Sequence, residues 1–250
     1  AFWPGPMTMV VRKKSIVPLV TTGGLDTVAV RMPNNQIALD LITQAGVPIA
    51  APSANISGKP SPTSAEHVID DLEGKIDAIL VGENCKVGIE STVIDMTEEI
   101  PMILRPGIIT AEAFSKVLKK EINFDPTLLL RPDEDMFNNN EFKPKAPGMK
   151  YKHYAPDAEM IIYEGESVKV KKQIEIAKKN YELKGQKVGV IFYEDSDSEE
   201  AAHDLFAELR KFDKEGMDII LAASLKEKGL GLAVMNRMLK SAGYNIIKID

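Results

Sequence analysis

Only one cysteine, one tryptophan and three histidines occur among 250 residues, and each scarcity closes off a class of protein. A lone Cys85 cannot build an internal disulfide framework, so a reducing, cytoplasmic setting is the expectation, with Cys85 itself a small filler beside a strand. His67, His153 and His203 lie far apart with no cysteine at ligand spacing, which argues against a zinc site. The longest apolar runs fall well short of the roughly 20 residues that a membrane-spanning helix needs. Basic residues are not in excess either. Lys and Arg number 31 against 37 Asp and Glu, a net charge of -6, which argues against a large nucleic-acid footprint though not against a local basic patch. What is present is ordinary globular material, 44% hydrophobic and 27% charged, enough for one large domain or two modest ones.

Along the chain, Met7 to Arg12 and Thr27 to Arg31 read as strands, short and β-branched or apolar between Pro and Gly boundaries. Ile37 to Ala45 has helical spacing. Val47-Pro48-Ile49-Ala50 reads as a buried strand, Ala65 to Leu72 as a helix and Ala78 to Val81 as a further strand. Val87 to Asp95 is a turn running into a strand, Pro101 to Leu104 another strand, and Ala111 to Leu118 a helix. Strands and helices without strict alternation predict a mixed sheet with helices against it. From about Asn123 the composition changes: four prolines, Asp133-Glu134-Asp135 and Asn138-Asn139-Asn140 mark a linker. Regular alternation follows, with strands near 160–163, 187–193, 218–223 and 245–249 and helices over 168–181, 199–212 and 230–242. That pattern predicts a small parallel sheet covered by helices. The Lys-rich helix near Lys169 to Lys179 reads as a solvated face.

The most informative segment is Ala51-Pro52-Ser53-Ala54-Asn55-Ile56-Ser57-Gly58. Small residues let a ligand approach the backbone, and Ser and Asn offer donors and acceptors at short reach. A helix start follows, with Thr63-Ser64-Ala65-Glu66 fitting a capping box. A polar turn before a helix N-terminus suits an anionic ligand; an ordinary Ser/Asn-rich turn with a well-capped helix fits the same residues. Gly88-Ile89-Glu90-Ser91-Thr92-Val93 lacks the spacing of a nucleophile elbow and reads as a turn presenting Ser91 and backbone amides. Gly229-Leu230-Gly231 lacks the third glycine of a dinucleotide loop and argues for no cofactor there. Arg31 and Arg105 each end a strand, and a planar guanidinium suits carboxylate and phosphate recognition. In the linker, Tyr151, His153 and Tyr154 interleave with lysines, a composition that either stacks on a nucleotide or pins the linker to its own domain. The residues alone thus reach an anionic ligand, with a nucleotide as one form of it, and no reaction.

Several pieces in order resemble the threonylcarbamoyl-AMP synthase family in its two-domain form. They are Phe2-Trp3-Pro4-Gly5-Pro6-Met7-Thr8, Thr27-Val28-Ala29-Val30-Arg31, Ala51-Pro52-Ser53-Ala54-Asn55, Ser57-Gly58, Gly88 to Val93, Leu104-Arg105-Pro106-Gly107, and the linker Pro147 to Pro156. The resemblance implies an α/β protein: a YrdC-like twisted mixed sheet with helices, plus a small C-terminal Rossmann-like parallel α/β domain. It implies a catalytic portion over 1–122, a linker or lid over 123–157 and a C-terminal domain over 158–250. The family's N-terminal Lys-x-Arg motif does not occur here, and the opening residues read as the middle of a domain, so further N-terminal sequence is expected.

The activity implied is ATP-dependent synthesis of threonylcarbamoyl-AMP from L-threonine and bicarbonate or CO2, with release of pyrophosphate. The product goes to a tRNA threonylcarbamoyl transferase. By motif position, Thr27, Ser53, Ser61 and Arg105 contact ATP, and Arg31, Ala51 and Ser91 contact threonine. Tyr151 and His153 fold over the cleft as a lid, and Mg2+ accompanies ATP without protein side-chain ligands. No protein nucleophile is required, because the chemistry rests on positioning and charge stabilisation. Two alternatives use the same fold: a non-catalytic RNA-binding or regulatory module, which the acidic balance disfavours, and a carbamoyl-transfer relative, which Arg31 and Ser91 weigh against.

Overall fold

The computed structural model describes residues 1–128 and 153–250. In chain order the elements are β1 (Met7–Arg12), β2 (Thr27–Val30), α1 (Gln36–Ala45), α2 (Ala65–Leu72), β3 (Thr92–Asp95), β4 (Met102–Arg105), α3 (Ala111–Leu118) and β5 (Asn123–Phe124), then β6 (Glu159–Gly165), α4 (Ser167–Glu182), β7 (Val188–Ile191), α5 (Ser198–Glu215), β8 (Ile219–Ala223), α6 (Leu230–Ser241) and β9 (Ile246–Ile249). They form two compact units. One comprises Ala1–Pro52 and the stretch that opens at Glu90; the other comprises Ser53–Ile89 and the stretch that closes at Asp250.

The first unit carries a mixed sheet in the order β2-β1-β3-β4-β5. Its β1 runs antiparallel to β2 and parallel to β3, while β3 and β4 are antiparallel. Period-2 alternation sends Met7, Ile94 and Ile103 to one face, where Phe114 of α3 and Ile122 close the core. Phe2 meets Phe114 edge to face at 5.1 Å, and the Trp3 indole N–H donates to the Met7 carbonyl at 2.7 Å. The helix α3 begins where Thr110 accepts from the Ala113 N–H, with Glu112 in its first turn and Lys116 in its last to suit the helix dipole. The opposite sheet face carries a smaller cluster, Val10, Val93 and Leu104.

The second unit carries an all-parallel sheet in the order β7-β8-β6-β9. Alternation along β6 and β8 again divides the core. Ile161, Tyr163, Ile219 and Leu221 pack with Val170 and Ile174 of α4, while Met160, Ile162, Ile220 and Ala222 pack with α5 and α6. The chain leaves β6 for the β7 edge with α4 on one face. It returns through β8 to β9 with α5 and α6 on the other, the change of face that right-handed crossovers require when direction reverses. The mixed sheet and the parallel sheet are both as the residue pattern predicted.

Three local expectations fail. Val47 to Ala50 is neither strand nor buried: Val47 is 60% exposed and Ile49 44%. Ala78 to Val81 likewise forms no strand, with Leu80 and Val81 both more than 60% exposed. Apolar content mimicked strands here, yet among the described residues neither run has a neighbour in a ladder, and Pro48 brings no N–H to one. Cys85 is exposed rather than packed beside a strand, and its backbone N–H donates to the Thr63 carbonyl. Among the described residues no helix is long and apolar enough to cross a membrane.

Candidate functional site

Register in the first unit determines which predicted residues share a face. Val10 opposes Ala29 and Arg12 opposes Thr27, so Thr27 lies on the face of β1 that carries Thr8 and Val10; Arg31, exposed just past β2, continues the same parity. Thr8 opposes Val93 on β3, which places Ser91, two residues earlier, on that face too. The side chains agree: the Thr8 and Ser91 hydroxyls lie 2.8 Å apart. A register shift beside Val93 then turns Arg105 toward Ser91. The Arg105 Nε donates to the Ser91 carbonyl at 3.1 Å, and its Nη2 donates to the Ser91 hydroxyl at 3.2 Å.

This corner is held by close backbone packing. A Cβ on Gly107 would sit 2.6 Å from the Thr92 nitrogen and 2.9 Å from the Glu90 carbonyl oxygen, so only glycine fits. The Thr92 hydroxyl, buried, donates to the Ile109 carbonyl and accepts the Ile109 N–H, tying the loop after β4 to the start of β3. Thr27, Arg31, Ser91 and Arg105 therefore share one face of one sheet. Ala51 belongs to the same unit and is exposed in an irregular stretch.

Ser53 and Ser61 belong to the second unit, Ser53 exposed and Ser61 buried. Between them the loop is densely tied. The Asn55 amide donates from Nδ2 to the carbonyls of Ile56 (2.8 Å) and Lys59 (3.2 Å), and these two bonds fix which end of the amide is which. Its Oδ1 is thereby buried with no hydrogen-bond partner among the described residues. An acceptor left this way costs about 1–3 kcal/mol unless a donor arrives. The Ile56 N–H donates to Asp71 Oδ2 at 3.2 Å, and the Gly58 carbonyl accepts from the Ala155 N–H at 2.8 Å.

The helix α2 starts at Ala65 as the residue pattern predicted, but its cap is one residue past the Thr63 that the capping-box spacing suggested. Ser64 is the cap, while Thr63 turns to His67 and donates its N–H to Nδ1 at 3.2 Å. Burial, aided by the nearby Arg210 charge, holds the His67 imidazole below its usual pKa. At the other end of α2, the Asp71 carboxylate meets Arg210 of α5 with Nη2 to Oδ2 at 2.7 Å and Nη1 to Oδ1 at 3.4 Å. Burial alone would raise the Asp71 carboxyl, but hydrogen bonds from Arg210 and Ile56 outweigh it and keep its pKa below the ordinary value. His153 is partly buried, its ring 4.2 Å from that of Tyr154, which packs on Phe206. Tyr151 lies outside the described residues.

In the first unit, an arginine fork aligned on a serine with a second arginine on the same face suits carboxylate and phosphate groups; in the second unit, taken by itself, the loop from Ser53 to Ser61 offers small residues and hydroxyls. Three contributors carry no local sequence signal. Thr8 stands in the run Phe2 to Thr8, and nothing near it marks it as the partner of Ser91. Asp71 and Arg210 are 139 positions apart, so no spacing rule could join them.

The comparisons with known proteins agree with this class. Residues 1–107 match the Sua5/YciO/YrdC family model, described as "Telomere recombination", and residues 109–243 match the model described as "Threonylcarbamoyl-AMP synthase, C-terminal domain". The threonylcarbamoyl-AMP synthase of Pyrococcus abyssi is 51% identical over 258 residues, covering 99% of this chain and 73% of that protein. The Bacillus subtilis enzyme of the same name is 41% identical over 265 residues, covering 99% and 72%. The crystal structure of P. abyssi Sua5 complexed with L-threonine superposes with a TM-score of 0.89, covering 100% of this chain and 74% of that one. The chain belongs to the threonylcarbamoyl-AMP synthase family, in the form that joins a YrdC-like domain to a C-terminal domain.

Proposed function

We propose that this protein makes threonylcarbamoyl-AMP from L-threonine, bicarbonate or CO2, and ATP. The observation that carries the proposal is that the whole chain, and not one motif, aligns with synthases of that name at up to 51% identity. In this reading the threonine amine adds to CO2, or to bicarbonate with loss of water, giving N-carboxythreonine. Its new carboxylate attacks the α-phosphorus of ATP, the bond to the β-phosphate oxygen breaks, and pyrophosphate leaves. Nothing in this sequence needs a protein nucleophile. It needs alignment, stabilisation of charge at the phosphorus, and exclusion of water from a labile mixed anhydride.

We assign Arg31 to the threonine carboxylate, with Ala51 and Ser91 beside it, and Thr27, Ser53, Ser61 and Arg105 to ATP. Supporting the pairing of roles, Arg105 is already bonded to Ser91, so one corner joins a phosphate-side cation to a threonine-side hydroxyl. We assign magnesium to the nucleotide's phosphates and not to protein carboxylates. Residues 1–122 carry the chemistry in this reading and the linker 123–157, with Tyr151 and His153, covers the reacting groups. The product passes in the cytoplasm to a tRNA threonylcarbamoyl transferase.

Mass-spectrometric detection of the adenylate after incubation with ATP, magnesium, bicarbonate and threonine tests the proposal. Substrate choice gives a sharper form of the same test. A site that hydrogen-bonds the threonine hydroxyl leaves buried polar groups unpaired when that hydroxyl is absent, a penalty that reaches roughly 10⁴-fold in sites of this kind. Serine is therefore expected to be used poorly and 2-aminobutyrate worse. Equal adenylate yields from all three amino acids would contradict a dedicated threonine pocket.

A further inference from the structure

We propose that Arg210, on helix α5 of the C-terminal region, is a positioning residue that holds the loop from Ser53 to Ser61 in its ligand-ready shape. This rests on the reading above that Ser53 and Ser61 contact ATP. The guanidinium spends its donors on two targets. Its Nε and Nη2 donate to the Pro60 carbonyl at 3.0 and 2.7 Å, and Nη2 and Nη1 donate to the Asp71 carboxylate. The same Asp71 oxygen that takes Nη2 also accepts the Ile56 N–H. One side chain thus fixes the loop near its start, through Asp71, and near its end, directly. Between the two, Gly58 is held by the Ala155 N–H.

A merely structural reason for the pair is weak. Arg210 and Asp71 are only 9% and 5% exposed, and a buried ion pair serves stability no better than well-packed apolar residues of similar volume. What an apolar pair cannot do is bind a loop carbonyl and a loop N–H at once. Lysine cannot replace the fork either, because a single ammonium does not span both targets in one plane. Neighbouring contacts run along the same stripe of α5. Gly88 packs so closely on the His203 carbonyl that no side chain fits there, and Asp213 accepts the Asp157 N–H at 2.7 Å. A loop fixed in advance loses less freedom when ligand binds, so the brace acts on affinity more than on the chemical step. The C-terminal region thereby takes part in substrate binding without supplying a residue that touches substrate.

The test uses the full chain with Arg210→Lys, Asp71→Asn and the double variant. Three quantities are read: hydrogen exchange at the Ile56 N–H without ligand, the KM for ATP against kcat, and apo thermal unfolding. Each single variant is expected to speed Ile56 exchange at least tenfold and to raise the KM for ATP about tenfold, with kcat within twofold. The double variant is expected to be no worse than Arg210→Lys, since that change already breaks both the Pro60 and the Asp71 links, whereas Asp71→Asn spares the bonds to Pro60. Unchanged Ile56 exchange overturns the brace, and so does a lower melting temperature accompanied by an unchanged KM. Should the unmodified protein form no adenylate, the functional reading falls, whereas the exchange data still decide whether Arg210 holds the loop.

Discussion

Arg105→Ala should weaken ATP binding by about 30-fold or more, the loss expected when a charged donor is removed from a phosphate. Arg105→Lys keeps the charge but loses the planar pair of donors, and a loss of about tenfold is expected. The geometry adds a second consequence. Because Arg105 also donates to the Ser91 carbonyl and hydroxyl, either substitution loosens Ser91, which keeps its contact with Thr8, and should raise the KM for threonine as well. The folded state loses the same two bonds, worth about 1–2 kcal/mol, so the apo melting temperature should fall by a few degrees and no more. Calorimetric ATP titration beside thermal unfolding separates the effects. Unchanged affinity in Arg105→Ala would leave this residue a structural brace for Ser91 alone.

Gly88→Ala should be the most damaging conservative change in the second unit. The added methyl would overlap the His203 carbonyl and lie 2.7 Å from the Ala202 carbonyl oxygen, both backbone groups of α5 that cannot swing away. The strand of chain through Gly88 must therefore detach from the helix, at a cost of about 3 kcal/mol or more. Gly74→Ala is the control. Its φ of +72° strains any side chain, but open space surrounds it, so about 1 kcal/mol is expected. Urea unfolding of the full chain gives both values. Equal losses at the two positions would contradict the close approach to α5 as the reason that Gly88 is necessary.

Local pattern carried most of the architecture. Met7–Arg12, Ala65–Leu72 and Ala111–Leu118 stand where alternation, helical spacing and caps place them, and the β-α alternation after residue 158 gives the parallel sheet. These are signals that lie within a few residues of one another. Val47 to Ala50 and Ala78 to Val81 misled because an apolar run satisfies a strand template even when, among the described residues, it has no partner strand. The site was legible in part. Arg105 and Ser91 could be chosen by residue type, but their mutual hydrogen bonds depend on a register shift beside Val93 that leaves no trace in composition. The grouping of Ser53–Ile89 with the C-terminal elements, and the Arg210–Asp71 linkage inside it, arise from contacts between distant positions that no local window contains.

The most direct test of the central claim is pyrophosphate release by the complete protein with magnesium and ATP, with threonine and bicarbonate omitted in turn. Release, matched by threonylcarbamoyl-AMP in equal amount, is expected only when both are present. Release that is indifferent to threonine or to bicarbonate, with no adenylate formed, would contradict it.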